Sequence, residues 1–408
     1  MVFAMAYDVA RVRGLFPSLG DGWIHLDPQA GMQIPDAVAT TVSKAFRALV
    51  SAPGGVYPSA RQSAAVMASA RHAVADLVGG DPAGVVLGSG RGKLVLTLAE
   101  ALGNRIWLGS DVVVTRLDDE ENITPWTRMA DRVGGRVRWA EVDIESGELP
   151  PWQFQEIVSE TTSVVAMTLA SSTLGTLTDV GAAGEAVHAA GGLLVVDASS
   201  AAPYMPLDIE ALAADVLILS AERWGGPQVS AMVFRDPDLL DRVRAVSLDP
   251  AATGPARLEV DPPQRALLAG LVSSIEHLAQ LDESASGDRR RRLIGSLTSL
   301  GEYLQRLNFY LVHSLEQLPT VRIVTGAARE SDRARSLPIV SLTVDGVSAD
   351  KVVRRLADNG ICALADQPSR ALEAIGTPEV GGAVTIGLGP YSTPYEVDQL
   401  VRTLASLA

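Results

Sequence analysis

The chain has 408 residues, 47% hydrophobic and 20% charged, and a formal net charge of −14. The apolar content supports a large core and excludes a disordered chain. The acidic balance excludes non-specific nucleic-acid binding, and no apolar run approaches the ~20 residues of a membrane span. The length suggests two to three domain-sized units, or one large α/β unit with an appendage. The first fourteen residues carry charge by residue 8 and lack a long apolar core, unlike a secretory signal, so a soluble cytoplasmic protein is expected. A single cysteine, Cys362, excludes an internal disulfide and a cysteine-based metal site. Five histidines, His25, His72, His188, His277 and His313, are scattered without ligand spacing, and no metal site is expected. Only three lysines occur, Lys44, Lys93 and Lys351.

Residues 35–77 read as helical. Val38, Val42, Phe46 and Leu49 share a face, Pro35 suits a first turn, and a second helix is predicted over 60–78. Strands and helices then alternate. Residues 85–87 read as a strand, followed by GSGRGK and a helical stretch over 94–102. Residues 112–115, 164–169 and 193–197 read as strands, with helical segments near Trp152 and over 184–190. Two further apolar runs, 216–219 and 231–234, flank the turn SAERWGGP. Continuous rather than alternating apolar runs predict strands covered by helices on both faces. Ligands of such sheets sit at the carboxyl ends of strands, just after Leu87, Thr115, Leu169, Val196 and Leu219.

Beyond Pro263 the texture changes. Leu293, Leu297, Leu300, Leu304, Leu307, Leu311, Leu315 and Leu318 mark a long helix, and Arg289 to Arg292 at its start read as a solvated face rather than an anion patch. Strands near 338–342 and 383–386 follow. The last helix opens with Thr393-Pro394-Tyr395-Glu396, a capping box with proline at the first position. This part reads as a smaller α/β domain.

Four segments carry candidate chemistry. Gly88-Ser89-Gly90-Arg91-Gly92-Lys93 joins a strand to a helix, where backbone N–H groups and the helix dipole favour a phosphate. It is not a P-loop: Leu87 stands where the first glycine belongs, and Leu94 follows the lysine. Phosphate binding and an ordinary glycine turn both remain open. Asp197 ends a strand before Ala198-Ser199-Ser200 and reads as a site acid, with an N-cap as the alternative. Asp118-Asp119-Glu120-Glu121 matches no calcium loop and reads as a solvated acidic loop. Cys362, within the apolar run 361–365, reads as core. SAERWGGP supplies an acid, Glu222, and a base, Arg223.

In this order the motifs resemble the class V aminotransferase and cysteine desulfurase superfamily, of pyridoxal-phosphate fold type I. FPSLGDGWIHLDPQAGMQIPDAV is similar to that family's "FP…LD…G…P" entry, and LDDEENITPW (117–126) to its "HxANixPW". ASSTLGT (170–176) is similar to "SN-x-LGT", VVDASSAAP (195–203) to "VDgaqaaP", SAERWGGP to "S-x-H-K-x-x-GP", and GLGPYST (387–393) to "…YNT". The resemblance spans nearly the whole chain. It implies a large domain over residues 20–265 with a mostly parallel seven-stranded sheet, a smaller domain from 1–19 with 266–408, and a homodimer with sites at the subunit interface. It implies pyridoxal phosphate held by a Schiff-base lysine, an acid on the pyridine nitrogen, a histidine stacked on the ring, and an arginine for the substrate carboxylate.

The positions that match depart from the pattern. The lysine is Arg223, whose guanidinium stays protonated and forms no imine. The histidine before it is Glu222, and the ring-stacking histidine falls at Asp119 or Glu120. The asparagine of "SN" is Ser172, and Ser200 follows the cofactor acid. The hydroxyls of the phosphate turn are replaced near Gly92-Lys93, and Asp261-Pro262 stands where "GT" follows a glutamate, here Glu259. The substrate arginine is Thr385, and the mobile-loop cysteine of desulfurases falls near Ser369. Positions at the reacting centre are thus Arg223, Glu222 and Asp119. Cofactor positions are Asp197, Gly90, Arg91, Gly92, Lys93, Ser172, Ser200 and Ser220. Two main readings follow. One is a degenerate homologue that binds a small anion or a protein partner. The other is a pyridoxal- or pyridoxamine-phosphate enzyme of aminotransferase or lyase type that holds its cofactor non-covalently or through Lys93. A third, metal-assisted catalysis through Asp118 to Glu121, takes the remainder.

Overall fold

A computed structural model describes residues 7–48, 51–324, 336–365 and 367–407. Its main sheet has seven strands in the spatial order Val85–Gly88, Ser230–Phe234, Val216–Ser220, Leu193–Asp197, Thr162–Thr168, Asp111–Thr115 and Arg136–Ala140. Ser230–Phe234 runs antiparallel to both neighbours, and every other pair is parallel. The continuous apolar runs have a direct explanation in the pleat, which sends alternate residues to opposite faces. Val85, Leu87, Val113, Leu194, Val196, Leu217 and Leu219 enter one buried cluster. Val86, Val112, Val114, Leu193, Val195, Val216 and Ile218 enter a second. Helices cover both faces, as expected for such strands.

A second, antiparallel sheet orders Leu364–Ala365, Val384–Gly387, Ile339–Val344 and Val321–Ile323. The helix Arg289–Glu316 buries Leu293, Leu297, Leu300, Leu304, Leu307, Leu311 and Leu315 as the leucine spacing predicts. The predicted capping box is present in the helix Pro394–Ala405: Thr393 caps the Glu396 N–H, and Glu396 returns the bond to Thr393. The N-terminal segment docks on this part of the chain. Tyr7 donates to the Pro390 carbonyl at 2.9 Å and stacks on Tyr303, and Arg13 pairs with Glu396 at 2.8 Å.

Three expectations are corrected. Of the four arginines at the start of the long helix only Arg291 stays solvated, and the other three do not form the expected solvent face. Arg289 pairs with Asp76 at 2.8 Å and Glu276 at 3.3 Å, Arg290 with Asp208 at 3.2 Å, and Arg292 with Glu276 at 2.5 Å. They fasten this helix to the helices Pro58–Val78 and Arg265–Ala279. On the helix Asp36–Ala48 the predicted apolar face is only partly covered: Val38 is buried, Val42 half-buried and Phe46 exposed, and Leu49 lies outside the described residues. Cys362 is half-buried rather than core. No helix among the described residues is long and apolar enough to cross a membrane.

Candidate functional site

The carboxyl ends of the central strands bring Asp197, Asp119, Arg91 and Arg223 together. Asp197 closes its strand and is 2% exposed. Its Oδ1 accepts the Ser199 N–H at 2.9 Å, and its Oδ2 accepts Arg91 Nη1 at 2.5 Å. The glycine turn after Val85–Gly88 feeds directly into the helix Arg91–Ala101, so Arg91 begins that helix beside the sheet's carboxyl edge. Its guanidinium is saturated by three acids: Nε donates to Glu121 at 2.8 Å and Nη2 to Asp119 at 2.9 Å, besides Asp197. Burial opposes its charge, yet Asp197, Asp119 and Glu121 together raise its pKa well above the ordinary value.

The acidic stretch is not a solvated loop, which corrects that expectation. Asp119 sits at the N-cap position of the helix Glu120–Val133, a favourable place for carboxylates. Asp118 is buried, accepting hydrogen bonds from the Thr115 hydroxyl and, at 2.6 Å, from Asn122 Nδ2 one turn on. Burial pushes its carboxyl up to about 8, despite those bonds. Burial also acts to raise Asp119, but Arg91 and Arg223 hold it below the usual carboxylate range. Ser172 donates to Asp119 Oδ1 at 2.9 Å. Glu120 turns outward to Arg370 at 2.6 Å. Glu121 lies against the glycine turn, with its Oε1 3.2 Å from where a Cβ on Gly92 would stand.

SAERWGGP forms the other wall. Ser220 ends a strand, and Ala221–Trp224 makes one helical turn. Gly225 closes it at φ 82°, where a Cβ would strike the Gln33 carbonyl at 2.5 Å, so only glycine fits. Trp224 is buried and donates to Ser274 Oγ at 3.0 Å. Residues 29–33 lie over this turn: Met32 N–H donates to the Glu222 carbonyl at 3.1 Å, and Arg223 Nη1 donates to the Gln29 carbonyl. Arg223 Nη2 is 3.7 Å from Asp119. The Glu222 carboxylate side is exposed. Ser200 and Ser220 are buried, with Ser220 Oγ accepting from Ser230 at 3.3 Å.

Lys93 is not brought to this cluster. It lies two residues beyond Arg91, nearly the opposite side of a helix, is 47% exposed, and pairs with Asp261 at 2.8 Å. Lys44 and Lys351 are also exposed. Glu259 accepts the Leu87 N–H at 2.9 Å and pairs with Arg71 at 2.8 Å. Thr385 is buried 2.8 Å from Ser341 Oγ, and Ser369 caps a short helix 3.2 Å from Thr173 Oγ1. Sequence reasoning missed Glu121 as a member of the cluster. Its position two residues from Asp119 was visible, but its pairing with a side chain thirty residues earlier was not.

The profile of the aminotransferase class-V family matches residues 24–400, and the chain belongs to that family. It is 56% identical to an uncharacterized protein of Mycobacterium tuberculosis, covering 99% of this chain and 100% of that one. It is 26% identical to a probable cysteine desulfurase of Streptomyces coelicolor, covering 97% and 96%. The fold matches that of a cysteine desulfurase from Thermococcus onnurineus with a TM-score of 0.87 at 20% identity, covering 98% and 97%. The seven-stranded, mostly parallel sheet is that of pyridoxal-phosphate fold type I.

Proposed function

We propose that the chain is a degenerate aminotransferase- and cysteine desulfurase-like protein that has left Schiff-base chemistry and works by binding a protein partner. The observation that carries this reading is the Arg91–Asp197 pair, 2.5 Å apart and buried. On this reading Asp197 no longer waits for a pyridine nitrogen, because a guanidinium is already bonded to it. Glu121 beside Gly92 likewise sets a carboxylate at the edge of the turn that was expected to receive a phosphate. The residues present therefore do not fit pyridoxal phosphate: the acid that would hold its pyridine nitrogen is already paired, and no lysine among the described residues joins the cluster. The alternative, a cofactor held through Lys93, is weakened by the exposed pairing of Lys93 with Asp261. A cofactor held non-covalently meets the same occupied acid.

Binding of a small anion is also disfavoured by charge. Two guanidiniums (Arg91, Arg223) face three carboxylates (Asp119, Glu121, Asp197), so the cluster carries 2 − 3 = −1. The protein-partner reading includes a homodimer. It is supported by an apolar groove lined by Ile34, Val38, Val42, Phe46, Pro227 and Leu267, with the exposed Val56 and Tyr57 as further apolar surface. The free thiol of Cys362 suits the proposed cytoplasmic location.

The test is turnover. With pyridoxal phosphate added in excess, the protein is expected to release no sulfide from cysteine and to transfer no amino group to a keto acid above the protein-free rate. Turnover that survives repurification and is lost in Asp197→Ala would overturn the reading and favour the cofactor-dependent alternative.

A further inference from the structure

His25 and Cys362 are register partners in the parallel pair of Ile24–His25 with Ile361–Cys362, so their side chains leave the ladder on one face. Asp27 follows two residues after His25. A ligand atom from each of these three side chains lies within 4.8 Å of the other two, and all three residues are half-buried. Among the described residues no other group of three such side chains is placed this way. The Gln33 side-chain amide lies 3.2 Å from His25 Nδ1, and turned so that its Oε1 accepts Nδ1–H it leaves Nε2 unprotonated for a ligand. Its Nε2 is buried without a hydrogen-bond partner and stands 3.4 Å from Asp21 Oδ2. No lysine or arginine among the described residues forms an ion pair with Asp21 or Asp27, so none competes with a metal for these two carboxylates.

We propose that His25, Asp27 and Cys362, with Asp21 as the fourth ligand, form a binding site for a divalent transition metal, zinc by its ligand chemistry. The single cysteine rules out a site built from several thiolates but not a mixed one, and imidazole, thiolate and carboxylate together suit zinc and not calcium or magnesium, which take oxygen ligands. Tetrahedral bonds of about 2.0–2.3 Å place ligand atoms about 3.3–3.8 Å apart. The Asp21–His25 spacing of 3.4 Å already meets this, and side-chain rotation brings Asp27 and Cys362, whose ligand atoms lie within 4.8 Å of that of His25, closer by about an ångström. On binding, the Cys362 thiol gives its proton to solvent and the sulfur pair forms the metal bond. The metal ties the N-terminal strand to residue 362. It thereby fixes the adjoining segment, whose Gln29 carbonyl receives Arg223.

The test is titration of the reduced full-length protein with cobalt(II), then zinc(II), followed by absorbance and thermal melting. One cobalt per chain is expected, with a thiolate-to-cobalt band in the near ultraviolet that zinc abolishes, and zinc raises the melting temperature. Cys362→Ser loses the band, and Cys362→Ser, His25→Ala and Asp27→Asn each weaken zinc binding by about tenfold or more, while His313→Ala, at an exposed helix position, changes nothing. Circular dichroism confirms that each variant is folded. Absence of a thiolate band in the wild type, or zinc affinity unchanged in folded Cys362→Ser and Asp27→Asn, overturns the proposal.

Discussion

Replacing Arg91 with leucine is expected to destabilise the protein by about 3–5 kcal/mol in urea unfolding, because it strands a buried carboxylate rather than merely deleting a contact. Asp197 is 2% exposed and, among the described residues, has only the Ser199 N–H besides Arg91. Asp119 keeps Ser172 at 2.9 Å and a distant Arg223 at 3.7 Å, whereas Glu121 is 57% exposed and rehydrates readily. Most of the loss therefore belongs to Asp197. The double variant Arg91→Leu/Asp197→Asn should recover the larger part of it, since the remaining amide carries no charge and still accepts the Ser199 N–H. A loss under about 1 kcal/mol for Arg91→Leu, typical of surface pairs, would show that the pair is solvated and the seat beside Asp197 open.

The second large effect is a dependence of stability on pH set by Asp118. Burial lifts its folded pKa to about 8, above the ordinary value near 3.9 in the unfolded chain. Between these values the folded protein holds a proton that the unfolded chain has released. Stability therefore falls as pH rises from about 4 to 8 and levels off above, by a total on the order of 5 kcal/mol for this group alone. With the acid neutral, the Asn122 amide can turn so that its Oδ1 accepts the Asp118 proton. Asp118→Asn should flatten the pH dependence and leave the protein at least as stable as wild type at pH 8. Urea midpoints at pH 5 and pH 8 for both proteins decide it. A variant as steep as wild type would place the titration elsewhere.

The sheet was legible because strands buried on both faces must be apolar at every position, and six runs met that rule. The strand Arg136–Ala140 did not meet it. As an edge strand it alternates, and Arg136 and Arg138 both turn to Asp111, at 2.8 and 3.0 Å. The helix Arg265–Ala279 has no side-chain cap at Gln264 to announce its start. The helix Glu120–Val133 was hidden by its acids, which read as solvent-facing until Arg91 is seen opposite them. At the site, Asp197 was nameable from its place at a strand end, and Arg91 and Arg223 from the turns they occupy, whereas Asp119 was named only through the family resemblance. That Arg91 and Asp197 pair was not legible, since 106 residues separate them and the glycine turn was read for its backbone. The same limit hid His25 beside Cys362, which meet only through strand register.

The place opposite Asp197 is filled by the protein's own Arg91. The most direct measurement is an absorbance spectrum of the wild-type chain after incubation with pyridoxal phosphate and desalting, followed by borohydride reduction and peptide mapping. The expected result is a spectrum without a cofactor band and no labelled peptide. A stoichiometric band that survives desalting, with the label fixed on Lys93 after reduction, would contradict the account and restore the cofactor-dependent enzyme.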